Sequence, residues 1–390
     1  MENRMRRLFV LLLIGVLALA VAVSRRAPTS QTTPRLDVAE ALAAPLDGFE
    51  RAFAPRPFTF PRDHGAHPTF QTEWWYYTGN LFAENGDRFG FQLTFFRRAL
   101  SPEPPATGSA WHTNQIYFAH FALTDRERER FQAEERWARG AVGLAGADAP
   151  PYRVWLDDWR VEAIAEDADQ VRLFATHADG TTLDLVAEAQ KPLVLHGEAG
   201  WSPKDDAPGN ASYYYSFTRM QAEGRIVRPD ASAVAVRGTA WMDHEFSTSA
   251  LGEDQVGWDW FSIQLDDGWE LMYFQLRRAD GTVDTVSGGT LIAPDGTTTM
   301  LARDDVQLEV EATWESPRTG ALYPAAWRLR VPAQALDVRI TPVLNDQELD
   351  VSVQYWEGAV DVRGTHGGTP VQGVGYVELT GYAQSMRGRF

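Results

Sequence analysis

The segment Ala240-Trp-Met-Asp-His-Glu245 sets two carboxylic acids on either side of an imidazole, in a stretch that reads as strand. Alternation along a strand sends Trp241, Asp243 and Glu245 to one face and Met242, His244 and Phe246 to the other. Two carboxyls in one pocket repel, so one of them stays protonated, and a protonated acid among aromatic neighbours can transfer its proton. The same residues also suit a purely structural polar cluster, and the sequence leaves both readings open. Glu73 stands just before the aromatic run Trp74-Trp75-Tyr76-Tyr77, where it suits either an arginine partner or a substrate contact. His120, in Tyr117-Phe-Ala-His-Phe121, fits a hydrogen-bonded core as well as a site. His196 and Lys204 flank Gly197 and Gly200 in a loop, where binding residues concentrate.

Other chemistries are excluded or weakly signalled. His64-x-x-His67 beside Asp63 has a metal-like spacing but no further converging ligands, so no metal is expected. The absence of cysteine removes disulfides, thiolate metal sites, Fe–S clusters and thiol nucleophiles. There is no G-x-S-x-G elbow, no P-loop and no G-x-G-x-x-G turn, which disfavours an α/β serine hydrolase and a nucleotide enzyme. Beyond residue 26 the chain carries 31 basic and 52 acidic residues, a net charge of −21. A phosphate backbone would repel such a body, so nucleic acid is not an expected partner.

The elements that position these residues divide by composition. Residues 1–26 join five arginines to the apolar run 8–23 and read as a signal peptide or membrane anchor. The expected location is therefore outside the cytoplasm: the periplasm, the outer face of the inner membrane, or the medium. A retained anchor would add an N-terminal membrane contact. Residues 27–57 are rich in proline and alanine and read as a linker. From there on the pattern is short strands. Asn85-Gly86 joins two aromatic runs as a hairpin, and further strand candidates follow, among them 116–123, 212–219, 233–242, 257–265, 350–356 and 374–380. Thr124–Ala138, with its charge run and a cap at Thr124 or Asp125, reads as one short inserted helix.

The strands repeat. Gly257–Leu265 aligns with Glu73–Leu81, matching Trp258 to Trp74, Trp260 to Tyr76, Ser262 to Thr78 and Gln264 to Asn80. Gly373–Glu378 aligns with Gly238–Asp243, matching Tyr376 to Trp241 and Glu378 to Asp243. Two related units follow, 58–250 and 251–390. The expected fold is all-β, two antiparallel barrels side by side, because closure hides edge strands and such barrels hold one apolar ligand.

Phe70-Gln-Thr-Glu-Trp-Trp-Tyr-Tyr-Thr-Gly-Asn-Leu81, Phe118–Asp125, Leu195-His-Gly197 with Ser202-Pro-Lys204, Ser212–Ser216, Ala240–Glu245, Tyr355-Trp-Glu-Gly358 and Gly375–Tyr382 together resemble the AttH and carotenoid 1,2-hydratase-like family. Its members are exported bacterial proteins often called predicted secreted hydrolases. The resemblance implies two lipocalin-like barrels. It also implies a hydratase chemistry in which a carboxylic acid protonates an isolated C=C bond, and water captures the tertiary cation with no metal or cofactor; isomerisation or cyclisation of an apolar isoprenoid- or lipid-like molecule by the same acid is implied equally. By resemblance Asp243 matches that acid, with Glu245 and Tyr214 beside it as catalytic candidates. Tyr213-Tyr214-Tyr215 replaces the His and Trp of the carotenoid hydratases, which points away from a carotenoid, although tyrosine hydroxyls can still orient a carboxyl. The candidate ligand contacts are Glu73, Trp75, Tyr77, His120, His196, Lys204, Tyr213, Tyr215, Trp241, His244, Trp258 and Trp260. Two alternatives stand beside the enzyme. One is a periplasmic carrier or chaperone for a lipid, working with an envelope ABC permease, since genes of this family often neighbour such permeases. The other is a true hydrolase, for which a nucleophile is missing.

Overall fold

The structure is a computed structural model and describes residues 47–104, 108–165, 168–248, 251–252 and 254–387. Residues 1–26 and most of the expected linker lie outside them. Among the described residues no helix is long and apolar enough to cross a membrane.

Thirteen strands form the first sheet. They are β1 (Thr72–Ala83), β2 (Arg88–Ala99), β3 (Gln115–Asp125), β4 (Arg130–Arg139), β5 (Ala145–Asp148), β6 (Arg153–Leu156), β7 (Trp159–Ala163), β8 (Gln170–Thr176), β9 (Thr182–Ala189), β10 (Val194–Leu195), β11 (Trp201–Pro203), β12 (Ala211–Val227) and β13 (Ala233–Ser247). Ten form the second: β14 (Gln255–Leu265), β15 (Glu270–Arg278), β16 (Gly288–Ile292), β17 (Thr298–Ala302), β18 (Gln307–Glu315), β19 (Leu322–Val331), β20 (Leu336–Pro342), β21 (Glu348–Leu349), β22 (Tyr355–His366) and β23 (Thr369–Leu379).

The first sheet runs β4-β3-β2-β1-β13-β12-β9-β8-β7-β6-β5, with β10 and β11 both on β12. Contacts of β6 with β2, β3 and β4 bend it into a nearly closed barrel. The second runs β17-β16-β15-β14-β23-β22-β20-β19-β18, with β21 on β22, and stays a half-barrel. Each interior is packed with its own side chains. Trp75, Tyr77, Phe91, Phe95, Trp159 and Tyr215 fill the first, and Phe261, Tyr323, Trp327 and Trp356 fill the second.

The internal repeat extends to the pairing register. Tyr76 pairs with Asp243 across β1 and β13, and Trp260 pairs with Glu378 across β14 and β23. The two units also meet reciprocally. Asn80 Nδ2 donates to the Gly375 carbonyl at 2.9 Å, while its counterpart Gln264 Nε2 donates to the Ala240 carbonyl at 3.0 Å. The repeated glycines have a steric cause. A Cβ on Gly238 would fall 2.0 Å from the Asn80 carbonyl oxygen, and one on Gly373 would fall 2.3 Å from that of Gln264.

Three sequence expectations change. Thr124–Ala138 is not a helix but the end of β3, a turn and β4. Asp125 does cap, but it caps the turn, its Oδ1 accepting from the Arg128 amide at 3.2 Å. The alternation in Phe131–Trp137 has period two, and cross-strand partners such as His120 and Glu135 fix it as a charged edge strand. Residues 350–354 precede β22 rather than forming it. Part of the expected linker docks: Ala52 is buried, and the Ala52 and Ala54 carbonyls accept from Trp201 Nε1 and the Tyr213 hydroxyl, both at 2.9 Å.

Candidate functional site

Strands that separate two cores are buried on both faces, which explains the unbroken aromatic runs in β1 and β14. On β1, Trp75 and Tyr77 point into the first interior, whereas Trp74 and Tyr76 point to the second sheet. A cavity opens between the sheets on this outer face. Its aromatic wall is Trp74, Tyr76, Phe96, Trp258, Trp260 and Phe274, and its acids are Asp243, Glu245 and Glu378. The space for a ligand is therefore between the two units rather than inside either.

Asp243 sits at the centre of a donor set. Its Oδ2 accepts from the Tyr214 hydroxyl at 2.6 Å, and its Oδ1 accepts from Trp241 Nε1 at 2.6 Å and from the Ser216 hydroxyl. Tyr214 in turn accepts from Trp260 Nε1 at 3.0 Å. Burial pushes the Asp243 carboxyl up to about 7, and the repulsion of Glu245 adds to it, against the pull of the three donors. The two acids have different partners. Lys204 Nζ stands 2.5 Å from Glu245 Oε1 and compensates its charge, whereas no cation pairs with Asp243 among the described residues.

Behind Asp243 lies a chain of buried hydroxyl and imidazole groups. His196 Nε2 is 2.7 Å from Ser216 Oγ, and His196 Nδ1 is 2.9 Å from Thr290 Oγ1. Burial, aided by Lys204, holds this histidine down to about 3, so the ring is neutral. Because Ser216 gives its proton to Asp243, His196 carries its hydrogen on Nε2 and donates to Ser216, while Nδ1 accepts from Thr290. His196 thus braces the acid without reaching the cavity. His120 does reach it, with Tyr355 Oη at 2.7 Å on Nδ1 and Glu135 Oε1 at 2.9 Å on Nε2.

The raised proton affinity has a consequence for stability. Asp243 titrates near 3.8 when unfolded and near 7 when folded, so the cost of burying its charge is absent below about pH 4 and complete above about pH 7. Asp243→Asn never ionises. It is expected to gain on the wild type as pH rises from 4 to 8, by a few kcal/mol, since each tenfold rise in proton affinity is worth about 1.4 kcal/mol. Urea midpoints of the two proteins measure this, and a difference constant with pH would refute the raised affinity.

The remaining candidates are placed elsewhere. Glu73, fully buried, faces the first interior. Its Oε1 accepts from His67 Nδ1 at 2.7 Å and His244 Nε2 at 2.8 Å, and its Oε2 accepts from Arg97 Nε at 2.8 Å. Tyr215 joins His244 to His64, with oxygen-to-Nδ1 distances of 2.6 and 2.8 Å. His64 and His67 therefore serve different partners and do not converge. Of the three ligand atoms that do converge, from His67, Glu73 and His244, both imidazole nitrogens already bond Glu73 Oε1, and the Arg97 guanidinium beside them opposes a second cation. Trp75, Tyr77 and Tyr215 are interior core, and Tyr213 packs on Phe70 and Phe246 under the docked N-terminal segment. Trp241 holds Asp243 and packs between the sheets. Of the sequence candidates, Asp243, Glu245, Tyr214, His120, Lys204, Trp258 and Trp260 come together around the cavity.

Sequence reasoning missed Trp74, Tyr76, Phe274, Tyr355 and Glu378 on the same cavity. The repeat held the signal for three of them. Trp258 and Trp260 align with Trp74 and Tyr76, not with Trp75 and Tyr77, and Glu378 aligns with Asp243.

Comparison with known proteins agrees with this architecture. The profile of a family described as AttH-like matches residues 51–382. The crystal structure of an AttH-like protein from Nitrosomonas europaea is 36% identical, covers 86% of this chain and all of that one, and superposes with a TM-score of 0.75. Kievitone hydratase from Nectria haematococca shares the fold at 16% identity, with a TM-score of 0.63 over 86% of this chain and 98% of that one. No curated protein matches the chain.

Proposed function

We propose that this chain, which belongs to the AttH-like family, hydrates an isolated carbon–carbon double bond at the apolar, isoprenoid-like end of a small molecule. One observation carries the reading: Asp243 is a buried carboxyl on the wall of an aromatic cavity, with no cation paired to it among the described residues and its proton affinity raised by burial to about 7. An acid in that state can give its proton to an alkene. The carboxylate left behind is stabilised by hydrogen bonds from Tyr214, Trp241 and Ser216. The faces of Trp74, Trp258 and Trp260 then stabilise the tertiary cation until water reaches it. That the fold is shared with kievitone hydratase supports the same reaction class. We read the Arg-rich, apolar N-terminal residues as an export signal or anchor, which supports a site of action in the periplasm, on the outer face of the inner membrane or in the medium.

The test is incubation of the purified protein in ¹⁸O-labelled water with a panel of prenylated probes, kievitone and an acyclic carotenoid among them. Hydration adds one labelled water to the product mass. Probes that bind stoichiometrically in native mass spectrometry but return unlabelled and unchanged would replace the enzyme by a carrier.

A further inference from the structure

Glu378 is not accounted for by the acid step, yet it has what the second half of a hydration requires. It occupies on β23 the position that Asp243 occupies on β13, and both line the one cavity between the sheets. Each is held by an indole N–H. Trp258 Nε1 donates to Glu378 Oε2 at 3.0 Å, as Trp241 Nε1 does to Asp243 Oδ1. The two then differ. Asp243 accepts three hydrogen bonds, which stabilise the carboxylate it leaves on giving up its proton. Glu378 accepts that single one among the described residues and keeps its other oxygen open to the cavity.

The surroundings are acidic. Asp243 and Glu245 face Glu378 from β13, Glu357 and Tyr355 from β22, and Tyr76 from β1, and the nearby Lys204 is taken up by Glu245. Glu357 is fully buried, with only the Tyr76 hydroxyl on its Oε1 among the described residues, and it is driven well above the carboxylate range by burial and by Glu378 itself. It therefore stays neutral. Burial pushes the Glu378 carboxyl up to about 7, as it does that of Asp243 across the cavity.

We propose that Glu378 is the second catalytic carboxyl of this site, the base that takes the proton of the attacking water. The proposal rests on the hydration reading above. In the first step the Asp243 O–H bond breaks, and the alkene π pair forms a C–H bond at the less substituted carbon. In the second, a water oxygen forms the C–O bond at the cationic carbon, and one of its protons passes to the Glu378 carboxylate. The reaction leaves Asp243 ionised and Glu378 protonated. Their closely matched proton affinities let the proton return through the opened cavity with little driving force, and no oxidant, reductant or co-reactant is consumed.

The two steps can be read separately with a prenylated probe, kievitone first, in a mixture of D₂O and ¹⁸O-labelled water. Reversible protonation by Asp243 places deuterium into recovered probe, whereas completed attack places ¹⁸O into product. Glu378→Gln is expected to lose ¹⁸O incorporation by about 10²–10⁴-fold, to keep KM within about threefold, and to retain deuterium exchange. It should also lose the low-pH fall of kcat/KM. Glu378→Asp should recover part of the rate, and it serves as the second variant should glutamine disturb folding. Retained ¹⁸O incorporation in Glu378→Gln overturns the proposal, as does loss of both labels from a variant with unchanged melting. A wild type that incorporates neither label from any probe overturns the hydration reading itself and the proposal with it.

Discussion

Asp243→Asn is expected to lose hydration by about 10²–10⁴-fold, the usual contribution of a positioned acid, while still binding the probe. Asparagine keeps an acceptor for Trp241 Nε1 and the Ser216 hydroxyl, and its amide can donate to Tyr214, so the donor set survives and the transferable proton does not. Both labels, deuterium in the probe and ¹⁸O in the product, should vanish together, because no cation forms. Quenching of the cavity tryptophans, Trp74, Trp258 and Trp260, reports binding independently of turnover. Tyr214→Phe should act in the same direction more weakly. Removing one hydrogen bond to the carboxylate costs about 1.5–3 kcal/mol, which makes Asp243 a poorer donor and moves the high-pH fall of kcat/KM upward. An Asp243→Asn protein that hydrates at the wild-type rate would remove Asp243 from the chemistry.

The side on which Asp243 lies was legible in the sequence because strand alternation is a local rule. Trp241, Asp243 and Glu245 do share a face, and that face does line the cavity. What alternation cannot give is which face meets a ligand when both are buried. In β1, Trp74 to Tyr77 are all aromatic, so composition could not separate Trp75 and Tyr77, which fill the first interior, from Trp74 and Tyr76, which line the cavity. The phase was fixed only by the repeat. The inserted helix failed for a related reason: Thr124–Ala138 has good local helix features, and the pairing that overrides them lies on β3. For Glu73 the arginine partner was one of two readings open in the sequence, and Arg97 supplies it, whereas its histidine partner His244 was out of reach because it lies 171 residues away and meets Glu73 only through the pairing of β1 with β13.

Glu73 sets up the largest effect expected on stability, in the variant Arg97→Met. Arg97 Nε and the His67 amide each donate to Glu73 Oε2 at 2.8 Å. The guanidinium also binds Gln115 Oε1 at 2.7 Å and the His67 and Phe70 carbonyls at 2.9 and 2.8 Å, so it ties the segment before β1 to the sheet. Both charges are fully buried. Removing one partner of such a pair leaves the other charge without compensation, a loss of about 3–5 kcal/mol, while His67 and His244 still donate to Glu73 and keep the loss from exceeding that range. The pH dependence follows from Glu73, which its cationic and hydrogen-bonding partners hold well below 4.5, against the pull of burial. A group with lowered folded affinity contributes its stability above the unfolded value and loses it as pH falls toward the folded one. The gap between wild type and Arg97→Met in urea midpoint should therefore be full at pH 7 and narrow below about pH 4. Glu73→Gln combined with Arg97→Met should recover part of the loss, since no buried charge then stands alone. A gap unchanged between pH 7 and pH 3 would mean that the guanidinium acts through the His67 and Phe70 carbonyls, as a strut for the segment before β1, and not through Glu73. In either case a folded Arg97→Met protein should retain ¹⁸O incorporation, because this network occupies the inner face of β1 and the cavity occupies the outer one.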